Sequence, residues 1–353
     1  MVQAGFTVAT FNLYNLNEPG VPIYSDRGGW SLAEYQRKID WTARIIAQLR
    51  PDVLGFQELW HVASLTAALA AAGLAADYDV LAPPDADGKR IVCAAIVRKG
   101  LLAGTPEWIV RFPDKLRLES SGDDAQTPEI SVRIDSFSRP VLHFTVRPRQ
   151  DREAIHVYVC HFKSKAPTQV HKEAWYRADA ATYGKHAAGL GAALSTVRRT
   201  AEAAALRFLL TERMHGTGTP VVVLGDINDG QLSNTANILT GQPRYLVGDS
   251  LGGGDTGLYA VQTLQEYRNS RDVYYTHIHQ DFMESLDHIL VSEEFYDNSR
   301  KRLWLFDGMT ISNDHLDVAD HKATGTNDHG IVCARFRYKP IKAEARAIVA
   351  GPS

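Results

Sequence analysis

The run Val221-Val222-Val223-Leu224 admits few folds. Four consecutive apolar residues, three of them β-branched, suit a strand covered on both faces, inside a sheet that carries a packed layer on each side. The run opens after Pro220 and closes on Gly225-Asp226-Ile227-Asn228, so an acid and an amide stand where a buried strand ends. The same ending recurs. Asn12 follows Val8-Ala9-Thr10-Phe11, Glu58 follows Val53-Leu54-Gly55-Phe56, and His161 follows Ile155 to Cys160. Asp287 opens Ile289-Leu290-Val291, and Asp328-His329 opens Ile331-Val332-Cys333-Ala334. One polar strand end is ordinary. Six of them gathering acids, amides and imidazoles suggest a shared rim, because strand ends of a sandwich converge.

The rest of the chain fits a layered sandwich. Ser31 and Glu34 form a capping box, and Leu32, Tyr35, Ile39, Thr42, Ile46 and Leu49 follow at helical spacing until Pro51. An Ala-rich helix is expected over 62–73 and a long helix over 193–214. Further strands are expected near 91–98, 130–137, 140–147, 154–162, 286–291, 302–306 and 330–338. Segments 14–30, 113–129, 163–192 and 229–280 are weakly patterned and read as long functional loops. At 353 residues two domains are affordable in length, yet no linker, charge block or repeat divides the chain. The expected organisation is α/β: one catalytic domain over 1–340, two packed mixed β-sheets flanked by helices, with a tail at 341–353.

Charge excludes a global electrostatic field. Lys and Arg number 38 against 41 Asp and Glu, a net charge of −3, so any polyanion must be gripped locally. Cys93, Cys160 and Cys333 lie in apolar runs and read as core thiols, with no disulfide or zinc spacing. No apolar stretch reaches the roughly 20 residues of a membrane span. No basic and apolar leader precedes Phe6, so a cytoplasmic monomer is expected, although a secreted chain already stripped of its leader reads the same way.

The inventory suits hydrolysis of a phosphate ester. Such a substrate is anionic, and oxygen ligands from Asp, Glu and Asn suit a hard cation such as Mg²⁺ or Mn²⁺ that neutralises it. Glu58 and Asn12 are candidates for that ion. Asp226, with Asn228 two residues on, is a candidate to take or steer the proton of an attacking water, and His161 and His329 are candidate donors to the phosphate. Asp287 would hold the His329 tautomer.

The ordered set Thr10-Phe11-Asn12, Gln57-Glu58, His161-Phe162-Lys163-Ser164-Lys165, Gly225 to Asp229, Leu286-Asp287-His288-Ile289 and Asn327-Asp328-His329 resembles the endonuclease/exonuclease/phosphatase superfamily, which includes pancreatic-type deoxyribonuclease. The resemblance spans about residues 5–338 and is greatest to a bacterial branch of nucleases. It implies a four-layered α/β sandwich and metal-dependent phosphoester cleavage. It implies Asn12 and Glu58 at the metal, His161 on the phosphate, Asp226 and Asn228 at the nucleophile, Asp287 paired with His329, and Asp328 near both metal and histidine. The Tyr that the apurinic branch sets against the phosphate has no identifiable equivalent. Arg139-Pro140 resembles a pair common in the bacterial branch, and Arg139 either reaches the phosphate or caps its strand.

Several residues have plainer readings. Asp314-His315 and Asp320-His321 lie in a polar stretch and read as solvated loop residues; His288 reads as structural; His143 and His156 read as strand histidines; His277 and His279 are open between loop and substrate contact. Asp229 reads as a turn former, and Trp175, Tyr176, Tyr274 and Tyr275 as loop anchors. Lys163, Lys165, Arg198, Arg199, Arg300, Lys301 and Arg302 are available to track a nucleic-acid backbone. The expected function is a nuclease acting on DNA or RNA, with small phosphate esters or lipid headgroups as the alternative substrates. An exposed apolar loop tip would favour the alternative; only the Gly-rich stretch 248–260 is a candidate. A non-catalytic binding module is disfavoured because none of Glu58, His161, Asp226, Asn228 or His329 has been lost.

Overall fold

The computed structural model describes residues 3–24, 28–123, 126, 128–242, 253–269 and 275–341. Nearly all of the expected tail, Tyr274 and the first part of the Gly-rich stretch lie outside them. Strand β1 (Gly5–Leu16) leads to helix α1 (Leu32–Leu49), β2 (Val53–His61), α2 (Val62–Ala71), β3 (Tyr78–Leu81) and β4 (Asp87–Arg98). Strands β5 (Glu107–Arg111), β6 (Glu119–Ser120), β7 (Ile130–Ser131), β8 (Ser136–Val146) and β9 (Ile155–His161) follow. Short helices α3 (Ala174–Ala178) and α4 (Ala180–Tyr183) precede the long α5 (Ala187–Met214), then β10 (Val221–Asp226), α6 (Asn234–Thr240), β11 (Tyr259–Ala260) and α7 (Val261–Arg268). The chain finishes with β12 (His277–His279), β13 (Phe282–Glu284), β14 (Asp287–Val291), β15 (Trp304–Ser312), α8 (His321–Thr324) and β16 (Ile331–Tyr338).

Two six-stranded mixed sheets result, ordered β15-β16-β1-β2-β4-β3 and β11-β14-β10-β9-β8-β5. Period two explains their packing. Phe6 and Val8 of β1, Val53 of β2, Val157 and Val159 of β9, Val222 and Leu224 of β10, and Ile289 and Val291 of β14 meet in the core between the sheets. The alternate residues face outward: Ala9 and Phe11 pack with Ile39, Ile46 and Leu65 of the first helical layer, and Val221 and Val223 with Ala205 and Leu206 of α5. Helix, sheet, sheet, helix is the expected four-layered sandwich. Gly55 lets the layers close up, since a Cβ there would lie 3.0 Å from Val159 and 3.2 Å from Leu224.

The Ser31 capping box forms as expected, its hydroxyl accepting from Glu34 N while the Glu34 carboxylate accepts from Ser31 N. The expected strand over 130–137 does not form as one piece. Ile130–Ser131 pairs only with Glu119–Ser120, and β8 instead starts at Ser136 and runs through Pro140. Proline is tolerated there because the pairing of β5 with β8 shifts register between Ile109 and Arg111, where no ladder donor is required. Edge strands β3 and β5 escaped the sequence reading because they are short. The three cysteines are buried and free. No helix among the described residues is long and apolar enough to cross a membrane.

Glu294, just past β14, accepts from Ser292 Oγ at 2.6 Å, and Ser292 Oγ in turn accepts from Val221 N at 2.9 Å, which anchors the start of β10. Burial pushes the Glu294 carboxyl up to about 7. In the unfolded chain it ionises near 4.5, so stability is full below that pH, declines up to about 7 and stays reduced above. Glu294→Gln keeps the acceptor and removes the titration. We expect thermal melts of the variant to match wild type near pH 4.5 and to exceed it at pH 8, by up to about 3 kcal/mol; equal melts at pH 8 would exclude a buried charge cost.

Candidate active site

The inward rows of both sheets change from apolar to polar at the same end. Along β1 the row reads Phe6, Val8, Thr10, Asn12; along β9, Val157, Val159, His161; along β10, Val222, Leu224, Asp226. Strands β9 and β10 are parallel with His161 opposite Asp226, and antiparallel β14 sets Asp287 opposite Asp226 from the other side. The hydrophobic core therefore delivers these side chains to one rim.

Asp226 is the hub. Its Oδ2 accepts from Asn12 Nδ2 at 3.1 Å across the two sheets, and lies 3.5 Å from His161 Nε2 and 4.0 Å from His329 Nε2. Its Oδ1 accepts from Asn228 N at 2.8 Å, and Asn228 Nδ2 donates to the Phe162 carbonyl at 3.1 Å. His329 Nδ1 lies 2.7 Å from Asp287 Oδ2. Glu58 Oε1 is 4.0 Å from His161 Nε2, and Glu58 Oε2 accepts from Asn15 N at 3.0 Å. Glu58 has a left-handed φ of 58°, inside a register shift of β2 against both its neighbours. Such a bulge re-aims a side chain, and here it turns Glu58 out of strict alternation. Asn228 shares the left-handed backbone, with φ of 55°, which an asparagine tolerates.

Burial sets the electrostatics. It pushes Asp226 up to about 7, with the His329 cation opposing and Asp287 adding to the shift. Burial alone would depress His329, but Asp287 and then Asp226 hold it well above the usual histidine range, so it is cationic at neutral pH. His161 lies well below that range through burial and the neighbouring charges of Arg139 and His329, so it is a neutral imidazole. Glu58 is raised by burial and by Asp328. A buried carboxylate with a second one beside it calls for a cation, and Asp328 Oδ1 and Asp287 Oδ1 are buried with no hydrogen-bond partner. An oxygen-rich donor set of this kind fits a hard divalent ion. Two triplets of potential donors are compact among the described residues, His277/Asp328/His329 and Asp226/Asp287/His329. His329 is a poor ligand in either, because its Nδ1 holds Asp287 and the ring is protonated. Glu58, Asp328 and Asn12 offer oxygen donors in its place.

The two candidate substrate binders diverge. Arg139 donates to the Phe162 carbonyl at 3.2 Å and its charge reaches both Glu58 and His161, so it lies beside the site. Lys163 turns onto its own loop, donating to Ala166 O at 2.9 Å and to Ser164 Oγ at 3.2 Å. Buried Glu202 of α5 accepts from Ser138 N at 2.7 Å and Lys163 N at 2.8 Å and so fixes both segments, a role nothing in the helical pattern signals.

The solvated reading of His315 and His321 is corrected. His315 Nε2 lies 2.9 Å from the His329 carbonyl and its ring packs on Trp41, while His321 packs on Tyr14 and bonds Thr326. His277 joins the site, its ring 4.9 Å from that of His329. His288 is structural, its Nε2 at 2.9 Å from the Asp229 carbonyl. Asp229 is more than a turn former, because it accepts from Thr235 and pairs with Arg199 and Lys165. Most of the expected backbone-tracking cations are engaged within the fold: Lys165 with Glu284, Arg198 with Glu202, Lys301 with Asp255 and Glu293, and Arg302 with backbone carbonyls. Among the described residues an apolar tip exists at the β12–β13 hairpin, with Phe282 77% and Met283 60% exposed.

No curated protein matches the sequence. Solved structures match the fold: an endonuclease/exonuclease/phosphatase from Bacteroides vulgatus (15% identity, TM-score 0.54, covering 96% of this chain and 100% of that one), a mannosyl-6-phosphatase from Bacteroides thetaiotaomicron (15%, 0.53, 94% and 100%), and the human Nocturnin catalytic domain with bound sulfate (14%, 0.53, 96% and 96%). At these identities the likeness establishes architecture alone. The family description itself, Endonuclease/Exonuclease/phosphatase, matches residues 9–321, and with that span this chain belongs to the endonuclease/exonuclease/phosphatase family of phosphoester hydrolases.

Proposed function

We propose that the protein is a divalent-metal-dependent phosphodiesterase that hydrolyses nucleic-acid phosphodiester bonds by in-line attack of water. The observation that carries this reading is the convergence on Asp226 Oδ2 of Asn12 from one sheet and His161 and His329 from the rim. Glu58, Asp328 and Asn12 would hold Mg²⁺ or Mn²⁺, which supplies charge neutralisation for the anionic substrate. Asp226 takes the proton of the attacking water, and Asn228 fixes the carboxylate through its backbone N–H. Cationic His329, oriented by Asp287, and neutral His161 donate to the phosphoryl oxygens, with Arg139 adding positive charge at the rim.

A second reading is favoured by the apolar hairpin tip. It begins at His277 beside His329 and carries Phe282 and Met283 outward, which suits a small or lipid-derived phosphoester with an apolar part. One assay separates the two: plasmid DNA, RNA, bis-(p-nitrophenyl) phosphate and a lipid phosphoester, each with Mg²⁺, Mn²⁺ or chelator. We expect cleavage of DNA or RNA that chelation abolishes. Turnover of the lipid or small ester alone would select the second reading, and activity indifferent to chelator would sink the metal-dependent mechanism.

A further inference from the structure

Lys38 sits on α1 one residue before Ile39 of the apolar stripe, and it is completely buried. Lysine almost never reaches that state unless its ammonium is matched. Here the ammonium lies 5.3 Å from the ring centroid of Trp41, 5.6 Å from that of Tyr14 and 5.9 Å from that of Trp30, a cage of aromatic faces. Its hydrogen bonds leave the cage in one direction only. Nζ donates to the Thr326 carbonyl at 3.1 Å and to Asn327 Oδ1, and Asn327 Nδ2 donates onward to the Asn12 carbonyl.

The chain is shaped to allow this contact. Gly325 has φ of 75°, and a Cβ on it would lie 2.6 Å from the Arg37 carbonyl carbon and 2.7 Å from the Lys38 nitrogen. Only glycine lets the segment after α8 rest on the backbone of α1 at this point. Thr326 and Asn327 lead directly into Asp328 and His329, so the lysine grips the segment that presents two of the site's side chains. The far end of that segment is held separately: His315 Nε2 reaches the His329 carbonyl, and Gly330 N donates to Thr276 O at 2.7 Å.

We propose that Lys38 is a positioning residue for hydrolysis, acting through Asn327 to lock the Asp328–His329 segment to the Asn12 end of β1. An apolar side chain would fill the aromatic cage without desolvating an ammonium, so packing alone does not account for a lysine. The donor fixes which way the Asn327 amide faces: with its oxygen held by Lys38, its NH₂ is the group presented to the Asn12 carbonyl. This inference rests on the hydrolytic reading of the site, and its test is built to fail separately from it.

Lys38→Met, Lys38→Arg and Asn327→Ala are compared with the full-length wild-type enzyme on bis-(p-nitrophenyl) phosphate, and Lys38→Met is crystallised beside wild type. We expect Lys38→Met to lose about ten- to a hundredfold in kcat with KM little changed, the scale typical of residues that orient a site's ligands. Lys38→Arg should recover most of that loss, which a purely volumetric role would not allow. The Lys38→Met crystal should show Asn327 parted from the Asn12 carbonyl and His329 displaced against Asp287. Wild-type kcat in Lys38→Met, or residues 326–329 unmoved in its crystal, overturns the proposal. Should Lys38→Met not fold, Asn327→Ala, which keeps the lysine on the Thr326 carbonyl, must show the same kcat loss, and wild-type turnover there overturns it as well. If the wild-type protein hydrolyses nothing, the hydrolytic reading fails by itself, and the two crystals still decide whether Lys38 holds the segment.

Discussion

Asp226→Asn is expected to lower kcat by about 10³–10⁴-fold, the scale on which a positioned general base operates, while the protein stays folded. The carboxylate sits where three hydrogen-bonding directions cross: Asn228 N on Oδ1, Asn12 Nδ2 on Oδ2, and the rim on the remaining lone pairs. A carboxamide can satisfy Asn228 through its oxygen, but it then turns an NH₂ toward the NH₂ of Asn12. Asn12 cannot simply flip, because its Oδ1 accepts from Tyr14 N at 3.0 Å. On the proposed mechanism the variant therefore loses the base and misaligns the amide beside it. Stability should move little or even rise at alkaline pH, because burial already disfavours the Asp226 charge and the wild-type group reaches about 7 before ionising. Activity measured alongside thermal melts at pH 8 decides the matter. A folded variant with more than about a tenth of wild-type turnover would remove Asp226 from the chemistry.

The rim was legible in the sequence because strand alternation is rigid. Once Val222 and Leu224 face the inter-sheet core, Asp226 must follow them, and the same holds for Asn12 after Val8 and Asp287 before Ile289. Glu58 was placed at the correct strand, yet its orientation was not readable: β2 continues to His61, and the left-handed backbone at Glu58 breaks the alternation. Lys38 was invisible for a different reason. A lysine in an amphipathic helix reads as solvated, and the partner that makes its burial tolerable lies 289 residues away. The hairpin carrying His277 offers three-residue strands with no measurable period, and Glu202 on α5 is indistinguishable from the helix's solvated acids until its partners Ser138 and Lys163 are seen. Local pattern thus reports which face a residue occupies. It is silent on what stands across from it.

His329→Ala should cost activity on the same scale as Asp226→Asn, about 10³-fold, and it should also destabilise the protein, which Asp226→Asn does not. Asp226 and Asp287 are cross-strand partners in register, both essentially inaccessible to solvent, and like charges so placed repel. His329 is the cation between them, with Nδ1 at 2.7 Å from Asp287 and Nε2 at 4.0 Å from Asp226. Removing it leaves the Asp287 carboxylate without its hydrogen-bond partner and favours a protonated Asp226, a loss of about 3–5 kcal/mol at neutral pH. Its folded-state pKa is raised, so its contribution to stability is full below the unfolded histidine value near 6.5 and fades only as pH climbs through the higher folded value. Asp287→Asn supplies the discriminating comparison. If Asp287 acts only by orienting the imidazole, as proposed, the double variant His329→Ala/Asp287→Asn should be no slower than His329→Ala alone, and it should regain stability because the orphaned Asp287 charge is gone. Rate losses that multiply in the double variant would mean that Asp287 has a catalytic task of its own, and its buried, unpartnered Oδ1 is the atom on which that task would fall.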